Sequence, residues 1–185
     1  MMTTPTGVKT LNLNEQPIVE NEFKPVPAGT YEAEVGEATI QTPKEENQFN
    51  EKGELKTPYV AVELKLFGNG LPETGRKLLP KAMLHLNLRP DANGVAMYQK
   101  ENGLLAFGKA LGTTFGNVTV LTAEATSPSG EQKTAEYLNP QEVVEALKSM
   151  RGTRVSVRIA VKTETYKGKA SEKNELKKFL ARQDA

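Results

Sequence analysis

From Arg154 to Lys162 apolar and polar residues alternate without a break, with Val155, Val157, Ile159 and Val161 set against Arg154, Ser156, Arg158 and Lys162. A period of two with β-branched residues on one side is what a strand requires when one face is buried and the other is wet. The pattern predicts a strand with a basic outer face. A turn-like Tyr166-Lys167-Gly168-Lys169 follows, and Asn174 to Leu180 reads as the returning strand. The same stretch carries the chain's charge asymmetry. From Arg151 onward there are ten Lys/Arg and four Asp/Glu, against fourteen and nineteen in the rest, although the formal net charge is only +1. Charge concentrated in this way speaks of partners more than of fold. The plain alternative is that lysine guards a sheet edge and supplies a polar outer face.

The remaining 150 residues place this hairpin in a domain. Residues 1–24 mix Thr, Asn, Glu and Pro without a period and predict a flexible arm, whose Leu11, Leu13, Ile18 and Val19 are available to dock on the body or on a neighbouring subunit. A single domain is expected over 25–183. Its first strand is Thr30 to Thr42, with Tyr31, Ala33 and Val35 inward and a bulge at Gly36. A long polar loop, with Phe49 its one aromatic residue, leads to a second strand, Tyr59 to Phe67, with Val60, Val62, Leu64 and Leu66 inside. The third, Arg76 to Leu88, is interrupted by Pro80.

The period then changes to about 3.6. Leu104, Phe107, Gly108 and Leu111, with Leu105 beside them, form a helical stripe that Gly112 closes. Residues 113–138 read as an irregular insertion or an extra hairpin. A second helix has Asn139 as its cap, Pro140 at its first position and Glu142 at capping-box spacing, with Val143, Leu147 and Met150 as its buried stripe. Three strands, helical segments and two strands predict a mostly β chain with helices, a five-stranded OB-fold barrel of Greek-key order with the helical segments between strands 3 and 4. A sandwich predicts about seven strands and no mid-chain helix pair. A parallel α/β fold predicts regular alternation of strand and helix.

Catalytic constellations are not visible. The chain has no cysteine and one histidine, His85, which leaves neither a thiolate metal set nor a base for a serine nucleophile. Gly103 to Lys109 has the spacing of a phosphate loop, but Ala110 stands where Ser/Thr would ligate Mg²⁺ and the intervening residues have helical period. No enzyme activity, cofactor or metal is therefore expected. The N-terminal residues lack the apolar core of a signal peptide, and no apolar run approaches the roughly 20 residues that span a bilayer. The expected location is cytoplasmic.

What remains is a binding surface. Proteins that hold single-stranded nucleic acid combine a basic groove along the phosphates with aromatic faces on which bases stack. The second strand offers Tyr59, Lys65 and Phe67 on its outer positions, with Phe67 becoming core if the register slips by one. The third offers Arg76, Lys77, Lys81, His85 and Arg89, and the fourth with its turn offers Arg154, Arg158, Lys162, Tyr166, Lys167 and Lys169. Each of these residues taken alone also reads as an ordinary solvated group.

Pro27 to Glu34 (PAGTYEAE), Leu105 to Gly112 (LAFGKALG), Met150 to Val155 (MRGTRV), Tyr166 to Lys169 (YKGK) and Asn174 to Phe179 (NELKKF) together resemble landmarks of a group of bacteriophage proteins. That group is similar to phage single-stranded DNA-binding proteins with an OB fold. The resemblance covers about residues 25–180 and implies a non-catalytic protein that coats single-stranded DNA in replication and recombination. It also implies phage or host replication and recombination proteins as partners, with a homodimer allowed and no membrane association. Two features depart from it: the chain ends ARQDA rather than in an acidic tail, and the first long loop carries Glu45, Glu46, Glu51 and Glu54. The second reading is a phage protein–protein module, an inhibitor or assembly factor, built on the same barrel.

Overall fold

The computed structural model describes residues 24–90, 92–93, 96–97, 103–112 and 115–180. The expected N-terminal arm lies outside them, apart from Lys24. β1 (Gly29–Gln41) pairs antiparallel with β2 (Tyr59–Phe67), and the register breaks between Val35 and Ala38, the bulge that Gly36 signals. A side chain there is crowded, since a Cβ on Gly36 would stand 3.0 Å from Glu63 Cβ and 3.3 Å from Glu63 O and would push the Glu63 backbone and side chain aside by a few tenths of an ångström. Phe67 stays on the outer face, because Leu66 and not Phe67 is paired with inward Ala33.

The third strand arrives in two pieces, β3 (Arg76–Lys77) and β4 (Ala82–His85), both pairing β2. Pro80 lies between them and cannot donate to a ladder. A short β5 (Arg89–Pro90) and β6 (Ala96–Met97) form a two-stranded pair of their own. Helix α1 (Leu104–Leu111) buries Leu104, Phe107, Ala110 and Leu111 and ends at Gly112, whose φ of 75° suits a residue without Cβ. Leu105 is 63% exposed and does not join the stripe expected of it. Of the two alternatives for 113–138, the hairpin is observed: β7 (Val120–Thr126) pairs in unbroken register with β8 (Gln132–Leu138).

Helix α2 (Pro140–Lys148) starts as its sequence predicts, with Asn139 Oδ1 accepting from Gln141 N at 3.0 Å. Glu142, by contrast, does not close a capping box. Its carboxylate accepts from Thr119 N at 2.6 Å and Thr119 Oγ1 at 2.7 Å and so fixes the approach to β7. Met150 is half-buried beside fully buried Val143 and Leu147.

β9 (Arg154–Tyr166) pairs β1 on one side and β10 (Lys169–Phe179) on the other. β10 starts five residues earlier than the alternation of its second half suggests, because cross-strand pairing continues to the tip of the hairpin. The main sheet has the order β10-β9-β1-β2-β3, with β4 also on β2, and it curls strongly into a half-barrel. Its concave side packs Tyr31, Val35, Val60, Leu64, Leu84, Val157 and Ile159 into one core. Phe107 of α1 closes that core against Phe179, with ring centroids 4.7 Å apart. At the seam between the sheet's two outer edges, the lead-in residue Val26 is buried and hydrogen-bonded to the Asn174 side chain of β10. Among the described residues no helix is long and apolar enough to cross a membrane.

Candidate nucleic-acid interface

Ladder partners in an antiparallel sheet project on the same side, so register decides which charges meet. On the outer face of the β9–β10 hairpin three rungs stand out: Arg158 opposite Lys178, Lys162 opposite Lys173, and Tyr166 opposite Lys169. All six residues are exposed. Along β9 the rungs recur every four residues, or about 13 Å at ~3.3 Å per residue. Like charges facing one another across a ladder are destabilising unless something lies between them. At the middle rung that something is Glu164, 3.5 Å from Lys162 Nζ and 2.8 Å from Lys173 Nζ. The Lys173 ammonium hydrogen bond holds the Glu164 carboxyl below its ordinary range, and Lys162 adds to the effect. At the Arg158–Lys178 rung, no carboxylate among the described residues is within ion-pair distance.

The far half of this hairpin extends beyond the core. From Lys162 to Lys173 every side chain is exposed except the half-buried Glu164. The tip is a two-residue turn with both φ positive, Lys167 at 49° and Gly168 at 78°, the twist that suits a tight hairpin. The turn-like Tyr166 to Lys169 of the sequence thus closes a paired arm. Tyr166 at its end is 74% exposed, with Lys167 Nζ 5.5 Å from its ring centroid.

Two other groups of candidates lie elsewhere. Tyr59 and His85, ladder partners with ring centroids 5.7 Å apart, line a cleft of about 700 Å³ under the loop that follows β1. Arg89 and Asn87 continue the lining, and Arg89 Nη2 lies 3.9 Å from Glu54 of that loop. Phe49 is half-buried, in a backbone bridge with Leu55. In the middle of the sheet the outer face is largely self-neutralised. Lys77 and Lys81 approach Glu63 at 3.9 and 3.7 Å, while Arg154 meets Glu32 and Glu34 and covers Phe67. Lys65 lies 6.0 Å from the Phe67 centroid. Arg76 turns toward the seam instead, where it lines a groove with Lys24 and Lys173.

No family model, curated protein or solved structure matches this chain.

The fourteen sequence candidates therefore do not form one surface. Arg158, Lys162, Tyr166, Lys167 and Lys169 share the hairpin; Tyr59, His85 and Arg89 share the cleft; Arg154, Lys77 and Lys81 serve internal ion pairs. Sequence reading missed Lys178 and Lys173 as members of cation rungs. For Lys178 the signal is hidden by a register shift between Leu176 and Lys178, which breaks the period of two just where it comes opposite Arg158, whereas Lys173 pairs with Lys162 in unbroken register from the turn. No group of three or more His, Asp or Glu that would hold a metal ion occurs among the described residues.

Proposed function

We propose that this chain is a non-catalytic protein that binds single-stranded DNA through the outer face of the β9–β10 hairpin. The observation that carries the reading is the Arg158–Lys178 rung, two exposed cations held side by side with no carboxylate among the described residues to neutralise them. A phosphate placed across the rung relieves that repulsion. The next rung supplies two more cations, and Tyr166 at the tip offers a face on which any base stacks, which makes the binding tolerant of sequence. The cleft over Tyr59 and His85 gives a second stacking platform with amide side chains at its rim.

The finer fold reading belongs to the same proposal. Numbered by their sequence order, with β3 and β4 as one strand, the main strands follow 5-4-1-2-3, and α1 and α2 fall between the third and fourth. That order supports an OB-type barrel, a scaffold that binds oligonucleotides on the face of its second and third strands and with the loops after its first and fourth, the latter being the tip of the β9–β10 hairpin. The phage-protein resemblance of the sequence motifs points the same way, toward replication and recombination of viral DNA in a host cytoplasm.

The test is a titration of fluorescent oligo-dT at two salt concentrations. Replacing Arg158 and Lys178 together by Glu is expected to weaken binding by about tenfold or more and to flatten its dependence on salt. Wild-type affinity in a folded Arg158→Glu/Lys178→Glu protein would remove the hairpin from the interface.

A further inference from the structure

Beside the hairpin's outer face, the sheet's two edges converge on a groove of about 390 Å³. Four cations line it: Lys24 from the lead-in segment, Arg76 and Lys77 from β3, and Lys173 from β10. Glu172 is the one acid in the lining. Lys77 and Lys173 lean outward to Glu63 and Glu164, whereas Lys24 and Arg76 have no ion-pair partner among the described residues. Each side of the groove is also flanked by a cation pair on its ladder, Lys65 opposite Lys77 and Lys162 opposite Lys173. The floor and rim are apolar, with Pro25, Pro80 and Leu79, the last 63% exposed.

From this convergence we infer that the seam is a phosphate-binding groove, in which the strand that lies on the hairpin turns over the edge of β10 and continues between Lys24 and Arg76. The inference rests on the single-strand reading for the identity of the polyanion and goes beyond it in giving the polyanion's path. Lys173 is what joins the two surfaces, since it belongs both to the middle rung of the hairpin and to the lining of the seam. Arg76 supplies a planar fork that matches two phosphate oxygens, and the lysines supply point charges that follow a repeating anion. An acidic peptide satisfies the charge but brings no bases for the exposed Tyr166 ring at the end of the rungs, so phosphate is the favoured chemistry.

Two probes separate this inference from the reading beneath it: inorganic tripolyphosphate, measured by calorimetry, and oligo-dT of increasing length. Lys24→Glu combined with Arg76→Glu is expected to remove the seam's share of the tripolyphosphate heat, leaving only what the hairpin rungs bind, to lower oligo-dT affinity severalfold and to shorten the length at which affinity stops rising. Lys24→Glu alone, at an exposed position, is expected to give the same changes at smaller amplitude and guards against a folding defect at Arg76. If oligo-dT binds the double variant and the wild type equally and at equal length, the seam is not on the path, although the hairpin reading stands. If the wild type binds tripolyphosphate through Lys24 and Arg76 but no oligo-dT, the groove stands and the single-strand reading falls. Absence of tripolyphosphate binding by the wild type, or tighter binding of a poly-Glu peptide at the same residues, would overturn the phosphate assignment.

Discussion

The Arg154 guanidinium lies over the Phe67 ring, 4.1 Å from its centroid, while Nη1 reaches Glu32 at 3.2 Å and Nε stands 3.7 Å from Glu34. One side chain of β9 thereby crosses β1 to touch the end of β2. Its charge is answered twice and its flat face is covered, so under the proposed function Arg154 fastens strands and leaves phosphate to the hairpin rungs. Arg154→Ala is expected to lower stability by about 1 kcal/mol, the scale of one exposed cation–π contact with weak ion pairs. Oligo-dT affinity and its salt slope are expected to stay at wild-type values. A loss of slope equal to that of Arg158→Gln would return Arg154 to the interface.

Glu164 holds Lys162 and Lys173 in ion pairs, and under the proposed function it competes with phosphate for them. Glu164→Gln is therefore expected to raise oligo-dT affinity severalfold at low salt and to steepen the salt dependence, because two ammonium groups become available. Acidification acts in the same direction. The Glu164 carboxyl is held below its ordinary range, so its ion pairs contribute stability above the unfolded carboxyl's pKa, and that contribution is lost as pH falls through the lower, folded value. Over that window arm stability falls while anion affinity rises. Affinity that is flat in pH down to the unfolding transition would show that Glu164 does not control the two lysines.

Tyr166 tests the stacking half of the reading. Tyr166→Ala removes an exposed ring and no charge, so affinity is expected to fall by about 1–3 kcal/mol with an unchanged salt slope. Tyr166→Phe should bind as wild type does. A steep loss in the Phe variant would assign the effect to the hydroxyl instead of the ring.

The Asn174 amide accepts from Val26 N and donates to Val26 O, both at 2.9 Å, in a site where Asn174 is 6% exposed. Asn174→Leu leaves both backbone groups of Val26 without these partners, and each buried orphan costs about 1–3 kcal/mol. Chemical denaturation is expected to show a loss of that order or somewhat more. A change below 0.5 kcal/mol (about the scatter for ordinary surface substitutions) would mean that water replaces the amide.

Where one face of a segment is buried and nothing interrupts its period, the sequence is a sufficient guide. Val60, Val62, Leu64 and Leu66 define β2 to the residue, Gly36 announces the bulge in β1, and Asn139-Pro140 opens α2. The site is less legible because its charges acquire meaning only through register. Nothing in the order of residues says that Glu164 stands between Lys162 and Lys173, that Glu32 and Glu34 hold Arg154, or that the shift after Leu176 sets Lys178 against Arg158. Long-range pairings of this kind depend on how two strands slide past one another, and a shift of one residue exchanges the faces. The role of Asn174 was hidden for a related reason, since its partner lies 148 residues away in the chain.

β1 has two neighbours that are made at very different times. β2 follows it directly, but β9, which covers its other edge from Gly29 to Glu34, comes only after both helices and the β7–β8 hairpin. If β1 and β2 pair on a ribosome as soon as both have emerged, the nascent chain carries β1 with one row of backbone amides and carbonyls open until Arg154 and its successors emerge. Such an edge accepts any strand presented to it. Glu32 and Glu34, alternating along it, give two emerging copies a reason to repel one another until Arg154 of the same chain arrives. The two carboxylates that disarm a cation in the finished sheet thus guard the unfinished one.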